Sequence, residues 1–394
     1  MDLVKMRGYA FVAFFAFAAW TSLTLFVIPS YIFRGWNRSL HRRWIAFCFG
    51  TYWEICVFWF EKVNGMDIKF TGDRPRGEDD CVVVVTNHPT EMDMPFFWLL
   101  PFRAGHTGHV KFVTKAAVRN VPLLGWGINA CDYLFLARNW EKDQAHIAKS
   151  MDSFSSNEDP CWWVLFPEGT DFNSPKGVEL KGKPEKKLKD SQAFQRERNL
   201  PILSKVLQPK SRGLYAMLRG LRANPRTIIY DYTFMYDGTP RSPMEIVRSG
   251  RPNAVHIHMK RVTLDHVGTT EEEVKEWTNR CFAEKDRQLT HLAEKGCFDG
   301  ESYSSEWSLV EWAKLSFSAV MWNLLILVAI RTIFTSYIFR SWFVVASIGM
   351  QLWVVFFSGP DAIGSKLLSQ MAIAIEPLLD QASEAVMKAR AKTH

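Results

Sequence analysis

The sequence predicts an α/β fold: a single domain with a mixed sheet and flanking helices, set between N-terminal membrane helices and a C-terminal membrane hairpin. Three observations predict it. Short β-rich runs alternate with longer helical patterns through the middle of the chain, as layered α/β proteins require. Long uncharged stretches lie near both ends, and no fixed-period repeat divides the 394 residues, which argues against a solenoid. A hydrophobic content of 47% with 23% charged residues excludes a disordered or collagen-like chain.

Residues 1–60 read as a membrane anchor followed by an interfacial helix. Residues 8–33 carry no charge, long enough to cross a hydrocarbon core of about 30 Å and longer than the apolar region of a signal peptide. Residues 44–60 are apolar and aromatic but hold Glu54, whose charge is costly at a bilayer centre, so they are expected to be interfacial or re-entrant rather than spanning. Lys5 and Arg7 precede the first stretch, whereas Arg34, Arg38, Arg42 and Arg43 follow it, a bias that puts the following chain in the cytoplasm.

Residues 61–310 form the expected central domain. The run 81–86, Cys-Val-Val-Val-Val-Thr, is a strand buried on both faces; 133–137, 162–166 and 228–236 read similarly, and 254–262 alternates. Residues 143–154 and 271–295 carry helical patterns, and the Lys/Pro/Gly-rich stretch 173–190 reads as a loop. Beyond the domain, 315–330 and 341–358 suggest a membrane hairpin within 311–360, and 361–394 an amphipathic tail.

The net charge of +7 is concentrated, because residues 171–220 hold 12 Lys/Arg against 5 Asp/Glu. Such a patch implies an anionic partner. The seven cysteines show no Cys-x2-Cys pair, which removes most of the case for a zinc ribbon or a disulfide scaffold. His256 and His258 share a strand face but lack a third nearby ligand, so no metal site is expected.

Two constellations carry chemistry. The buried strand runs into Asn87-His88-Pro89-Thr90-Glu91-Met92-Asp93. Pro89 suits a first helical position, which would make His88 the cap and place Asp93 early in the helix. A carboxylate accepting from one imidazole nitrogen leaves the other free as a general base. A second strand ends in Phe166-Pro167-Glu168-Gly169-Thr170, which puts a carboxylate and a tight turn at a sheet edge where α/β proteins bind ligands.

These residues resemble the glycerophospholipid acyltransferase family. The likeness rests on Asn-His-x4-Asp (Asn87, His88, Asp93), Phe-Leu-x-Arg (Phe135, Leu136, Arg138), Phe-Pro-Glu-Gly-Thr (166–170) and a block around Pro209, in the family's order. The Phe-Pro-Glu-Gly-Thr-Asp-Phe wording and the C-terminal hairpin look most like the lysocardiolipin acyltransferase branch. The resemblance implies His88 as base and Asp93 as its orienting partner. It also implies substrate contacts from Asn87, Lys115, Arg138, Glu168, Gly169, Thr170 and Pro209, with backbone amides near Gly169 and Thr170 for the oxyanion. It further implies no cofactor, acyl-CoA as co-substrate, a lysophospholipid acceptor and a bilayer partner, with the endoplasmic reticulum as the expected membrane. The terminal spans tether the basic stretch beside a bilayer, so no nucleic-acid partner is expected, and the charge bias around the first span puts the active site on the cytoplasmic side. Asp171 stands where many lysophosphatidate enzymes of the family have Arg, so an anionic lysophosphodiester (lysocardiolipin, lysophosphatidylglycerol or lysophosphatidylinositol) is the expected acceptor. Lysophosphatidate acylation, CoA-independent transacylation and a non-enzymatic anionic-lipid scaffold are the rivals.

Overall fold

The computed structural model describes residues 2–357 except 91–92, 122–123, 138, 157–158, 173–182, 239–240, 242, 251–252 and 305. Its strands are β1 (Ile68–Gly72), β2 (Cys81–Thr86), β3 (Val110–Lys115), β4 (Leu134–Leu136), β5 (Cys161–Leu165), β6 (Thr227–Tyr236), β7 (Val255–Thr263) and β8 (Ser302–Tyr303). They form one 8-stranded sheet in the order β4-β3-β5-β2-β6-β7-β1-β8. From β4 to β6 every neighbour is parallel; β7 runs antiparallel to β6, and β8 antiparallel to β1.

The helices are α1 (Leu3–Ser22), α2 (Ile28–Arg34), α3 (Arg38–Phe58), α4 (Leu99–Ala104), α5 (Leu124–Ala130), α6 (Trp140–Ser155), α7 (Lys183–Glu197), α8 (Arg212–Leu221), α9 (Pro243–Ser249), α10 (Glu271–Lys295), α11 (Leu309–Thr335) and α12 (Tyr337–Phe357). Residues of α6, α8 and α10 cover one sheet face, and residues of α3, α4 and the 3-10 turn Met94–Trp98 cover the other.

The two-residue period of a strand sends Trp162 into one core and Trp163 into the other, both 0% exposed. Each buried indole removes some 150–250 Å² from water, worth about 4–6 kcal/mol. The all-apolar middle of β2 follows from the same two-sided burial, since it lies between β5 and β6 with every residue buried.

The strand at 81–86 and the helix at 271–295 appear with the bounds the pattern predicts. α6 begins earlier than expected, because the Asn139 side chain accepts from the Lys142 N–H at 3.2 Å and caps it. The loop expected at 173–190 is corrected from Lys183 onward. There the chain is helical to Glu197, because residues 185–197 are mostly strong helix formers and Pro184 falls in the first turn, where it is tolerated. Residues 173–182 and the expected amphipathic tail lie outside the described residues.

α3 is bound to the domain through Arg42. Its guanidinium donates to Asp132 (2.9 Å), Asp159 (2.5 Å) and the Ser153 carbonyl (3.0 Å), and its side chain is 6% exposed. The helical run Leu3–Arg34 and the helix Leu309–Thr335 are long and apolar enough to cross a membrane. A break at Ser336 separates α11 from α12, whereas the sequence reading places the hairpin's hinge across 331–340.

Candidate active site

The parallel strands β5, β2 and β6 end at one edge of the sheet, and the segments leaving them build the site. Asn87 follows β2, and its amide bridges to the main chain of β6. Nδ2 donates to the Phe234 carbonyl and Oδ1 accepts from the Phe234 N–H, each at 2.9 Å. The amide predicted to meet substrate is thereby committed to holding the strand ends together.

His88 Nδ1 lies 3.0 Å from Asp93 Oδ2. Asp93 is fully buried and heavily solvated by protein donors. The Thr90 N–H donates to Oδ2 at 3.0 Å, the Thr90 hydroxyl to Oδ1 at 3.0 Å, and the Tyr236 hydroxyl to Oδ1 at 2.7 Å. Burial, with the Asp93 carboxylate second, pushes the Tyr236 phenol well above its ordinary value and keeps it a donor. The imidazole face rests on the Phe166 ring, centroids 4.0 Å apart, and the side chain retains 17% exposure. Among the described residues Nε2 has no hydrogen-bond partner, so this nitrogen is available to a ligand.

One local expectation is corrected. Pro89 does not start a helix; regular structure begins at Met94, with Asp93 as its N-terminal flank. The Asp93 N–H donates to the Thr90 carbonyl at 3.3 Å, so a turn brings carboxylate and imidazole together.

Glu168, after β5, is 3% exposed, and its oxygens accept from the His88 N–H at 2.8 Å and the Leu207 N–H at 3.0 Å. Burial raises its carboxyl to about 7 in spite of those donors. Gly169 turns the chain with φ +71°, a conformation that favours glycine, and its N–H donates to the Phe166 carbonyl at 3.0 Å. Of the two amides expected to meet an oxyanion, Gly169's is thus used in the turn; Thr170's takes no acceptor among the described residues. The Phe172 N–H donates to the His88 carbonyl at 2.7 Å, folding this turn beside His88. An open cavity at this edge has Asn87, His88, Glu168, Phe172, Lys205 and Met235 among its lining residues.

The remaining predicted residues are spread along the same edge. Lys115 is exposed at the carboxyl end of β3, in register with Leu136. Arg138 lies outside the described residues. Pro209 is buried, and the next residue, Lys210, donates its N–H to the Pro167 carbonyl at 2.8 Å. Lys187 donates to the Asp171 carbonyl at 2.6 Å and lies 3.3 Å from its carboxylate, so the acid is paired.

The family models named Acyltransferase and Acyltransferase C-terminus match residues 67–219 and 246–317. A probable 1-acyl-sn-glycerol-3-phosphate acyltransferase of Arabidopsis thaliana is 31% identical over 319 residues, 80% of each chain. The chain belongs to the glycerophospholipid acyltransferase family. This acyltransferase is also 27% identical over 304 residues to lysocardiolipin acyltransferase 1 of Gallus gallus, covering 75% of this chain and 76% of that one. The crystal structure of PlsC, a 1-acyl-sn-glycerophosphate acyltransferase of Thermotoga maritima, matches over 73% of this chain and 98% of that chain, at 17% identity and a TM-score of 0.42.

Sequence reasoning missed Tyr236 and Thr90 as Asp93 donors, and the Leu207 amide as the second donor to Glu168. Tyr236 ends a strand whose alternate residues Tyr230, Tyr232, Phe234 and Tyr236 share a face, a pattern that reads as core and hides the one hydroxyl aimed at the site.

Proposed function

We propose that the acyltransferase moves a fatty acyl group from acyl-CoA to the free glycerol hydroxyl of an anionic lysophospholipid, with His88 as general base. The observation that carries this reading is the 3.0 Å contact between His88 Nδ1 and buried Asp93, with Nε2 at the sheet edge taking no partner among the described residues. An alcohol is a weak nucleophile at neutral pH. As its oxygen attacks the thioester carbonyl, Nε2 takes the hydroxyl proton and Asp93 supports the resulting imidazolium. Collapse of the tetrahedral intermediate breaks the C–S bond, and the proton passes from Nε2 to the departing thiolate, so ester and free CoA form without an acyl-enzyme. The Thr170 amide is a donor suited to the oxyanion.

Lysophosphatidate joins lysocardiolipin, lysophosphatidylglycerol and lysophosphatidylinositol as a candidate acceptor. Asp171 would repel its dianionic phosphate, but Lys187 offsets that charge. The reading places the enzyme in a membrane, with its catalytic domain on the cytoplasmic face of the endoplasmic reticulum.

Microsomes expressing the chain, given a panel of acyl-CoAs and lysolipids, provide the test, with thiol release followed in parallel. Acylation should liberate CoA stoichiometrically, whereas transacylation liberates none. His88→Ala should lower turnover by about 10²–10⁴-fold while membrane insertion persists. Retained acyl transfer in that variant would remove His88 from the mechanism.

A further inference from the structure

We infer that Lys205 and Lys210 hold the phosphate of the acceptor lipid over the turn at residues 168–170, an assignment that names the headgroup contacts of the acyltransferase site and rests on that reading. Lys205 lines the cavity together with His88, Glu168 and Phe172. Its main chain is fixed, because Asp286 accepts from the Lys205 N–H at 2.5 Å and from the Ser204 N–H at 2.8 Å. Lys210 also reaches this turn. A Cβ placed on Gly169 would lie 3.4 Å from Lys210 Nζ and 3.7 Å from its Cδ, so the lysine stem crosses the glycine at van der Waals distance.

Both side chains are exposed, and among the described residues neither ammonium meets a carboxylate within 4.0 Å. Lys187, in the same basic stretch, is by contrast committed to Asp171. Among the described residues these two cations meet no carboxylate and the Thr170 amide of the adjoining turn takes no acceptor, a combination suited to an anion with several acceptor oxygens.

Covalent geometry identifies which phosphate. In a lysoglycerophospholipid with a free 2-hydroxyl, the hydroxyl and the phosphate ester occupy adjacent glycerol carbons. A hydroxyl at His88 therefore carries its phosphate to within a few ångströms of the base. The CoA phosphates are separated from the thioester by the whole pantetheine arm, which places them away from this turn when the carbonyl is at His88.

The test uses the full-length chain in detergent, with oleoyl-CoA as donor and lysophosphatidate, lysophosphatidylglycerol or monoacylglycerol as acceptor. Lys205→Gln/Lys210→Gln should raise KM for both phosphate-bearing acceptors by about tenfold or more, the loss expected from removing a charge-assisted contact. KM for oleoyl-CoA and any turnover of monoacylglycerol should change less than about twofold, and Lys205→Arg/Lys210→Arg should recover most of the acceptor affinity. An unchanged acceptor KM, or a rise confined to oleoyl-CoA, would overturn the assignment. Binding of fluorescent lysophosphatidate in a His88→Ala background supplies a readout independent of turnover. If the wild type fails to turn over, the acyltransferase reading fails, and weaker binding without the lysines still decides their role.

Discussion

Asp93 is held by more donors than His88 alone, and this sets what each neighbouring side chain can do. With Thr90 and Tyr236 saturating its outer lone pairs, the carboxylate is pinned in one orientation and presents Oδ2 to the imidazole. Such preorganisation is what lets an acid fix a histidine tautomer. Glu168 plays a different part. Each of its oxygens accepts a main-chain N–H, so it braces the His88 segment against residue 207. Its carboxyl, ordinarily at 4.5, is lifted to about 7 by burial. A folded-state value above the unfolded one means that the native protein holds the extra proton. Stability from this group is full below about 4.5 and is lost as pH rises through about 7; the gap corresponds to about 3 kcal/mol at 1.36 kcal/mol per pH unit. Thermal melting of wild type and Glu168→Gln in detergent should diverge accordingly: between about pH 5 and pH 8 the wild type should lose stability relative to the variant. A constant difference across that range would show that the buried carboxyl does not titrate there.

At the scale of elements, α10 fastens the carboxyl edge from behind. Lys285, 0% exposed, donates to the Val85 carbonyl at 3.2 Å and bonds to Asp231 and the Tyr232 carbonyl, so one ammonium joins the end of β2 to the middle of β6; its neighbour Asp286 holds the Ser204–Lys205 main chain. Lys285→Met keeps the stem's volume but strands a buried carboxylate and two carbonyls, a loss of about 3–5 kcal/mol. A fall of about 10 °C in melting temperature is expected; a shift under about 2 °C would mean that water or another group satisfies the cluster. Such a device is invisible in a sequence, because Lys285 and Asp231 are joined only by the fold. The legible elements were those whose burial writes itself into one short run: β2, apolar throughout, and α10, whose Thr270 capping box marks its start. β1 and β3 escaped because their patterns are broken by polar residues. Lys69 faces solvent in β1, and Lys111 in β3 is buried, donating to the Cys131 carbonyl at 3.1 Å. The site divides the same way. His88 and Asp93 lie close in sequence and were found, whereas Tyr236, Leu207 and Lys205 reach the edge from distant segments.

On the scale of the whole molecule, two apolar helical runs are long enough to cross a bilayer, and they differ in how they pack on the domain. α11 presents Phe317, Val320, Leu324, Leu327 and Phe334 outward, at 57–77% exposure, which water would penalise and lipid would accept. The N-terminal run Leu3–Arg34 behaves differently, being docked to the catalytic body at both ends. Arg7 donates to Asn64 at 3.0 Å, and Gly8 lies so close to α9 that a Cβ there would fall 2.0 Å from the Val247 carbonyl oxygen. At the far end Arg34 pairs with Asp132 at 3.2 Å. A run of 32 residues spans about 48 Å if straight. Crossing a bilayer would carry one of these polar contacts, and the domain surface it needs, to the opposite side. The expected arrangement is therefore a run lying in one leaflet along the domain, with its start on the same side as the active site. Cys297 makes this measurable, since it is exposed while Cys48, Cys56, Cys81, Cys131, Cys161 and Cys281 are buried. In sealed, cytosol-out microsomes, a membrane-impermeant maleimide should label Cys297 without detergent, and an N-terminal epitope tag should be digested by added protease under the same conditions. A protected tag beside a labelled Cys297 would show that the run crosses the bilayer. A Cys297 that reacts only after detergent would put the catalytic domain in the lumen, against the cytoplasmic site that the arginines after residue 33 predict.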